Sequence, residues 1–331
     1  MSAASISVAM ATYNGREYLP EQLASLAAQE LLPTELVVCD DGSTDGTVEL
    51  LDSFAATALF EVHVHRNQKN LGVLRNFERA ASLCTGELVF LSDQDDVWLP
   101  SKIRQVAALF DSRPGSQVII NDKMITDESL QPTGATMLGN IRGFGSPDAC
   151  FVAGCCSAFR REWLDIALPI PDGVPAHDSW LAGLAHRIGV VSLCEQPLQF
   201  YRRHRSNASE NSYSGEAVGL LDRLRFEFTH NAARDRTEAK AYWDYYLNWH
   251  HAELRRIEEK MEAFASLGLA ERAERARREL RELIRAVEQR RQLANHDFGR
   301  RASAVWSLWR SGGYSHFSGW KSAVKDIIAK R

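Results

Sequence analysis

Residues 86–98 have the sequence GELVFLSDQDDVW, in which an apolar run, Leu88–Leu91, is followed by the acids Asp93, Asp95 and Asp96. A short apolar run of this kind is typical of a buried strand. Carboxylates that lie close together at the end of such a strand are costly unless another charge compensates them. A divalent cation that also binds a phosphate would supply that compensation. The stretch therefore predicts a buried strand that brings metal-binding acids to the edge of a sheet.

Two earlier apolar runs also end in polar residues. Ile6–Ala11 precedes Thr12-Tyr13-Asn14-Gly15, and Leu36–Cys39 precedes Asp40-Asp41-Gly42-Ser43-Thr44-Asp45-Gly46. One such segment is explained as well by a turn as by a ligand site. Three polar clusters that follow three strands in the same way favour a ligand site, because α/β sheets bind ligands outside the carboxyl ends of their strands.

Helical patterns alternate with the predicted strands. Leu19, Leu23 and Leu26 have helical spacing. The later elements predicted are a helix over Thr47–Phe54 capped by Thr44 or Asp45, a strand over Phe60–His65, helices near Asn76–Cys84 and over Ile103–Phe110 and Trp180–Ile188, and a strand over Val190–Cys194. This order predicts an α/β fold with a mostly parallel, Rossmann-like sheet flanked by helices.

The three motifs resemble those of the inverting family 2 glycosyltransferases of GT-A fold. The resemblance rests on Thr12–Asn14, Val38–Asp45 and Ser92–Trp98, and covers roughly residues 5–210 in the family's order and spacing. The SDQDDVW form also resembles the branch that contains bacterial rhamnosyltransferases of surface-polysaccharide assembly. The resemblance implies a GT-A catalytic domain over residues 1–212 and an α-helical carboxyl-terminal region over residues 213–331.

The resemblance implies a nucleotide-sugar donor bound at the sheet edge. Tyr13 and Asp41 fit a pocket for base and ribose, since an aromatic face stacks on a pyrimidine and a carboxylate accepts from its ring N–H. Gly154 would let the backbone of the strand beneath the donor sugar approach that sugar closely. The donor-binding residues expected from the resemblance are Thr12, Tyr13, Asp41, Asn70, Arg75, Asp93, Gly154, Arg202 and His204.

The resemblance also implies a metal site with Mg²⁺ or Mn²⁺ as the cofactor. Asp95 is expected as the direct ligand, Asp93 as a ligand or a neighbour of the ribose, and His204 as a ligand or a hydrogen-bond donor to phosphate. The cation would act as a Lewis acid on the leaving diphosphate. Arg202 would offset the charge of the diphosphate, although a basic solvated loop is the alternative for residues 201–207.

An acid at the position of Asp178 is the catalytic base of the family, and many members have Glu-Asp where this chain has His177-Asp178. Without the resemblance, helix capping is the favoured explanation of Asp178. His177, Trp98 and Trp180 are the expected acceptor-binding residues, with a packing role as the alternative for Trp98. Cys155 and Cys156 are expected to pack, because an inverting transferase needs no nucleophile.

The implied reaction is transfer of a sugar with inversion. The expected donor is dTDP-β-L-rhamnose, and the expected acceptor is a saccharide or lipid-linked oligosaccharide of a bacterial surface polysaccharide such as lipopolysaccharide. Another UDP- or GDP-sugar is the first alternative. A nucleotidyltransferase would need a Gly-rich basic loop where Thr12–Gly15 stands, and a non-catalytic binding subunit would not need the acids.

Composition is that of a globular protein, with 331 residues, of which 45% are apolar and 25% charged. No apolar run is long enough to span a bilayer, and no secretory signal is recognisable. Six scattered cysteines favour reduced thiols. These features predict a cytoplasmic enzyme with no nucleic-acid partner, in peripheral contact with the inner face of the cell membrane if its carboxyl terminus binds lipid.

The carboxyl-terminal region is basic. Residues 271–331 contain 15 Lys/Arg and 7 Asp/Glu. Residues 219–296 predict two or three long helices, with Leu280, Ile284 and Val287 as a packing stripe, after a polar linker at 209–214. Beyond them, Trp306, Trp309 and Trp320 stand among apolar and basic residues. This pattern predicts an amphipathic membrane-surface helix, with packing onto the catalytic domain or a homodimer contact as the alternative.

Overall fold

A computed structural model describes residues 4–204, 213, 236–293, 296, 298–315, 317 and 319–328, with the side chains of 236–242, 298 and 328 excepted. These residues fall into two compact units. The first contains 4–170, 174–204 and Tyr213, and the second contains 171–173 and the described part of 225–331. The predicted boundary at 212/213 and most of the predicted linker lie outside the described residues.

The first unit alternates strands and helices in its amino-terminal half. The elements there are β1 (Ile6–Thr12), α1 (Leu19–Ala27), β2 (Glu35–Asp40), α2 (Thr47–Ala55), β3 (Glu61–Arg66), α3 (Val73–Leu83), β4 (Leu88–Ser92), β5 (Val97–Trp98) and α4 (Lys102–Ser112). Those that follow are β6 (Val118–Thr126), β7 (Pro132–Thr136), α5 (Met137–Gly143), β8 (Ser157–Arg160), α6 (Arg161–Ala167), α7 (His177–Ile188) and β9 (Val191–Arg202).

The strands of the first unit form one sheet in the order β3-β2-β1-β4-β8-β6-β9-β5, and β7 pairs with β6 at one side. The β3-β2-β1-β4 half is parallel. In the other half β8 runs antiparallel to both of its neighbours, as do β5 to β9 and β7 to β6. The expected α/β class is confirmed, and the sheet is mixed because the second half adds antiparallel strands.

Every residue of β2 and β4 is buried, as are all but one in β1. Continuous apolar runs are expected in parallel strands that are covered by helices on both faces. The predicted face of α1 is confirmed, because Leu19, Leu23 and Leu26 are buried in the main core.

Two boundaries differ from the prediction in ways that affect the site. Helix α7 begins at His177 rather than Trp180, so Asp178 lies in its first turn. Strand β9 continues to Arg202 rather than ending at Cys194, although its register with β6 shifts near Pro197. A proline lacks the N–H that a ladder uses and is tolerated at such irregularities.

The second unit is helical, as expected for the carboxyl-terminal region. Its helices are α8 (Arg236–Glu259), α9 (Met261–Ser266), α10 (Ala270–Leu293), α11 (Phe298–Arg310) and α12 (Trp320–Ile328). The predicted packing stripe of α10 is confirmed, because Leu280, Ile284 and Val287 are buried. No described helix combines the length and the apolar character that crossing a bilayer requires.

A buried carboxylate joins three strands at the edge opposite the polar clusters. Glu35 Oε1 accepts hydrogen bonds from Ser7 Oγ at 2.5 Å, from Thr85 N at 2.6 Å and from Thr85 Oγ1 at 2.9 Å. Ser7 Oγ in turn accepts from Gly86 N at 2.7 Å. Burial raises the pKa of Glu35, but the hydrogen bonds from Ser7 and Thr85 outweigh burial and hold the pKa below its usual value.

We expect Glu35→Gln to lower the free energy of unfolding by about 1–3 kcal/mol at neutral pH, because hydrogen bonds to a neutral amide oxygen are weaker than those to a carboxylate. A carboxyl whose folded pKa is lowered stabilises the fold above its unfolded pKa of about 4.3, and this contribution is lost as pH falls through the folded pKa. Urea unfolding should therefore show the difference from wild type shrinking below about pH 4. The exposed Glu61→Gln is the control; equal effects of both variants would contradict the prediction.

Candidate active site

The carboxyl ends of β1, β2 and β4 lie side by side. Thr12 pairs with Asp40 across β1 and β2, and Met10 pairs with Ser92 across β1 and β4. The three polar clusters predicted from the sequence therefore meet at one edge of the sheet.

Two adjacent acids organise the turn after β2. Asp40 Oδ1 accepts from Gly42 N and Ser43 N, and its Oδ2 accepts from Thr12 Oγ1 at 2.9 Å. The Thr12 hydroxyl is thus held against the Asp40 carboxylate.

Asp41 binds the loop that precedes α3. Its Oδ1 accepts from Asn67 Nδ2 and Leu71 N, each at 2.7 Å, and its Oδ2 accepts from Gly72 N at 2.8 Å. Asn70 Nδ2 donates to the Asp41 backbone oxygen at 3.2 Å. A carboxylate offers about four lone-pair sites, so three of them are used here and one remains for a ligand.

Gln94 connects the acidic loop to β1. Its Oε1 accepts from Tyr13 N at 2.9 Å, and its Nε2 donates to Tyr13 O at 3.1 Å. The side-chain amide thus pairs with both polar groups of one residue's backbone. The Tyr13 side chain is 51% exposed, so its ring is accessible for stacking.

The acids after β4 form two groups. Asp93, Asp96 and Cys155 each place a potential ligand atom within 4.8 Å of the other two. Asp95 Oδ2 lies 2.8 Å from His204 Nε2, and the His204 ring packs on Tyr18 at 4.5 Å between centroids. Arg202 Nε donates to the Asp95 backbone oxygen at 3.1 Å. The end of β9 is therefore fastened directly to the acidic loop.

Two buried lysines lie beneath this loop. Lys102 Nζ donates to Cys155 O at 2.8 Å and to Gln199 Oε1, and Gln199 Nε2 donates to Asp96 Oδ2 at 2.7 Å. Lys123 Nζ lies 3.7 Å from Cys155 Sγ and 3.4 Å from the centre of the Tyr201 ring. These cations partly compensate the acids above them.

The pKa values of the charged groups in this cluster are strongly shifted. Burial, with the charge of Asp95 adding to it, raises the pKa of Asp93 to about 7. Burial also raises the pKa of Asp96 well above its usual value and lowers the pKa of Lys102 to about 8. A cation at this place would lower the cost of ionising both acids.

Asp178 and His177 meet the turn at Gly154–Cys156. Asp178 Oδ2 accepts from Gly154 N at 3.3 Å, and its Oδ1 accepts from Ser179 N at 2.6 Å. The charge of Asp178 contributes to the raised pKa of Asp93, so the two carboxylates interact across the site. Ala176 occupies the capping position of α7, so Asp178 is not the residue that caps this helix.

His177 is buried on the ring of Phe77, with 4.1 Å between the ring centroids. Among the described residues its Nε2 has no hydrogen-bond partner, and burial lowers the pKa of the ring, which favours the neutral imidazole. A Cβ at Gly154 would stand 2.4 Å from that Nε2. Glycine is required at position 154 because the His177 ring occupies the space of a side chain.

The family described as Glycosyl transferase family 2 matches residues 7–166. This segment is therefore similar to the family 2 glycosyltransferases. Among curated relatives, an uncharacterized glycosyltransferase of Nostoc is 29% identical over 213 residues, which are 61% of this chain and 66% of the relative. The abequosyltransferase RfbV of Salmonella typhimurium is 34% identical over 110 residues, 33% of each protein.

An uncharacterized protein of Mycobacterium tuberculosis is 27% identical over 220 residues, and the match covers 63% of this chain but only 62% of that relative. Among solved structures, residues 1–349 of Staphylococcus aureus TarS in complex with UDP-GlcNAc have a TM-score of 0.55 at 18% identity. That match covers 86% of this chain and 90% of the TarS chain. At this identity the likeness shows the fold alone, and it agrees with the expected GT-A architecture.

Several residues expected at the site are already bound to protein partners. Trp98 is buried in the core with Lys102 over its ring at 3.8 Å, and Trp180 is buried and donates to Ala167 O at 2.8 Å. The expectation that these two indoles contact an acceptor is corrected, because neither presents a face to solvent. For Trp98 the packing alternative holds.

Two arginines also have protein partners. Arg75 Nη1 binds Glu78 and the Ile170 backbone oxygen. Arg202 Nη1 and Nη2 bind the Glu128 backbone oxygen and the Glu21 carboxylate. Arg202 therefore fixes the backbone at the acidic loop, and its contact with a diphosphate stays a prediction. Residues 205–207 of the predicted loop lie outside the described part of the chain.

Sequence patterns did not single out Gln94, Lys102, Lys123 or Gln199. Each is a single polar residue in an ordinary context, and its role depends on a partner distant in sequence. Lys102 offered the best signal, because it stands at the start of a helix that buries the residue after it, Ile103.

We expect Gly154→Ala to lower the free energy of unfolding by about 1–3 kcal/mol, because the new Cβ must displace a well-packed imidazole. Gly115→Ala is the matched control, since a Cβ there meets nothing within 4 Å. Urea unfolding of both variants measures the difference. If Gly154→Ala is no less stable than Gly115→Ala, the close packing of His177 on this turn is wrong.

Proposed function

We propose that this protein is an inverting glycosyltransferase that transfers a sugar from a nucleoside diphosphate sugar to a saccharide hydroxyl. The observation that supports this proposal best is the convergence of Asp178, Asp93 and the Tyr13–Asp41 pocket at one sheet edge of a domain similar to the family 2 glycosyltransferases. The pocket would hold the base, the acids would face the diphosphate, and Asp178 would stand beside the sugar.

The carboxylate of Asp178 would accept the proton of the attacking hydroxyl. The new bond joins that oxygen to the anomeric carbon while the bond from this carbon to the diphosphate breaks on the opposite face. A single displacement with one general base inverts the anomeric centre. The N–H groups of Gly154 and Ser179, which donate to this carboxylate, would hold it in place for this step.

The acids fit a hard divalent cation such as Mg²⁺ or Mn²⁺. Asp95 Oδ2 and His204 Nε2 are two adjacent potential ligand atoms. Asp96 Oδ1 is buried and has no hydrogen-bond partner within the described part of the chain. Carboxylate oxygens are the preferred ligands of these cations. When bound, the cation would supply Lewis-acid stabilisation of the leaving diphosphate. Asp93 and Asp95 would hold it, with His204 as a further ligand.

A pyrimidine with an imide N–H fits the base pocket. The one remaining lone-pair site of Asp41 would accept from that N–H, and the exposed Tyr13 ring would stack on the base. Uracil and thymine both have this N–H and cytosine lacks it, so the donor class is a UDP- or dTDP-sugar. Within it we propose dTDP-β-L-rhamnose, from the SDQDDVW resemblance, and a saccharide or lipid-linked oligosaccharide of a bacterial surface polysaccharide as acceptor.

The donor class can be tested by measuring diphosphate release across dTDP-, UDP-, GDP- and CDP-sugars. Turnover with a dTDP- or UDP-sugar, and none with a CDP-sugar, is the expected result. Selective turnover of a CDP-sugar would overturn the pocket assignment.

Metal dependence gives the next prediction. Chelation with EDTA should abolish transfer, and Mg²⁺ or Mn²⁺ should restore it. Asp95→Ala should remain inactive even with excess metal, because the ligand itself is lost. Asp127→Ala, an exposed acid on the same unit, is the control and should respond to metal as wild type does. Full activity of wild type in EDTA would remove the metal from this proposal.

The general base gives a separate prediction. Asp178→Asn keeps the shape of the side chain and the oxygen that accepts from Ser179 N, but it removes the basic carboxylate. We expect kcat to fall by roughly a hundredfold or more while donor affinity, measured by calorimetry, is retained. Near-wild-type turnover would show that Asp178 has only a structural role.

A further inference from the structure

The second unit exposes three tryptophans on its last two helices. Trp306 and Trp320 are each 63% exposed, and Trp309 is 41% exposed. Val324, on α12, is 45% exposed. We call these four residues the tryptophan surface. Scattered exposed apolar residues are ordinary, whereas several large ones on adjoining elements indicate an interaction site.

The tryptophan surface is not needed to hold α11 and α12 together. These helices share a small core formed by Leu293, Val305, Leu308, Tyr314 and Ala323. Val305 and Leu308 have the same helical spacing as Trp306 and Trp309 but are buried. Each helix therefore has one face in the core and leaves its tryptophans outside it. Trp309 packs on the Tyr314 ring, with 6.0 Å between the centroids, and is still 41% exposed.

Arg290 fixes α12, and the segment that connects α11 to it, to α10. Arg290 Nε and Nη2 donate to the two carboxylate oxygens of Asp326 at 2.8 and 3.0 Å, and Tyr314 OH donates to Asp326 Oδ2 at 2.7 Å. The Arg290 guanidinium also lies 4.2 Å from the centre of the Phe317 ring. The tryptophans thus lie on helices that are fixed by packing and hydrogen bonds.

The same segment is strongly basic. Residues 298–328 contain five Lys/Arg and one acid, Asp326. Asp326 is already bound by Arg290. Arg310 and Lys321, next to Trp309 and Trp320 in sequence, are exposed. A partner of the tryptophan surface must therefore offer an apolar region to the tryptophans and negative charge to the basic residues.

We propose that the tryptophan surface docks on an anionic lipid bilayer. Tryptophan prefers the membrane interface, where its ring is partly apolar and its N–H stays hydrated. Basic residues beside it add attraction to anionic headgroups. A second copy of this chain fits less well, because a two-fold contact would bring the same basic surfaces together. The proposal does not depend on the donor or the reaction.

Flotation of the full-length protein with vesicles tests this proposal. The protein should float with vesicles that contain phosphatidylglycerol and much less with pure phosphatidylcholine vesicles. Binding should weaken in about 1 M salt, where the screening length falls to about 3 Å. A protein that stays at the bottom of the gradient with anionic vesicles at low salt overturns the proposal.

Variants assign the binding to this surface. Trp306→Ser combined with Trp320→Ser should abolish flotation, and Arg310→Gln with Lys321→Gln should weaken partitioning about fivefold per charge. The matched controls are Leu59→Ser, an apolar residue that is 83% exposed in the first unit, and Arg278→Gln, on α10. Circular dichroism verifies that all variants are folded. Equal flotation of the tryptophan variant and its control overturns the assignment.

Light scattering distinguishes the second copy from the bilayer. A monomeric mass in solution, together with flotation, supports the bilayer. A dimer that the double tryptophan variant disrupts, in a protein that does not float, replaces the bilayer with self-association.

Discussion

Burial of negative charge behind the acidic loop is the constraint on which the first unit depends. Asp96 is fully buried, and its carboxylate is reached by Gln199, which in turn is held by the buried Lys102. Breaking such a network by removing one member leaves an uncompensated charge and is strongly destabilising. The start of α4, the end of β9 and the turn at Gly154–Cys156 are therefore fixed relative to the acids, although they are distant in sequence.

The proposed site draws on both halves of the sheet. The parallel half would provide the base pocket and the acids from adjacent strand ends. Strand β9 provides Gln199 and Arg202, and His204 follows it. Helix α7 provides Asp178. A site built in this way has its polar groups held by rigid elements, which favours catalysis that depends on positioned charges.

The sequence predicted the parallel half well because β1, β2 and β4 are continuous apolar runs that end in polar residues. The role expected for Asp178 came only from the resemblance, since capping was the favoured explanation of an acid there without it. The burial of Trp98 and Trp180 could not be predicted, because a tryptophan beside a polar motif packs or binds depending on neighbours distant in sequence. The pairing of Gln94 with Tyr13 was beyond prediction for the same reason: an amide bonded to backbone has no compositional signature.

The Gln94 amide has a thermodynamic consequence for ligand binding. It joins the backbone of Tyr13, whose ring would face the base in the proposed function, to the loop whose acids would face the diphosphate. Ordering of either segment by a ligand would then order the other, so the second ligand would lose less conformational entropy. Cooperativity of this kind is reciprocal: a cation that tightens nucleotide binding by some factor is itself held more tightly by the same factor once nucleotide is present.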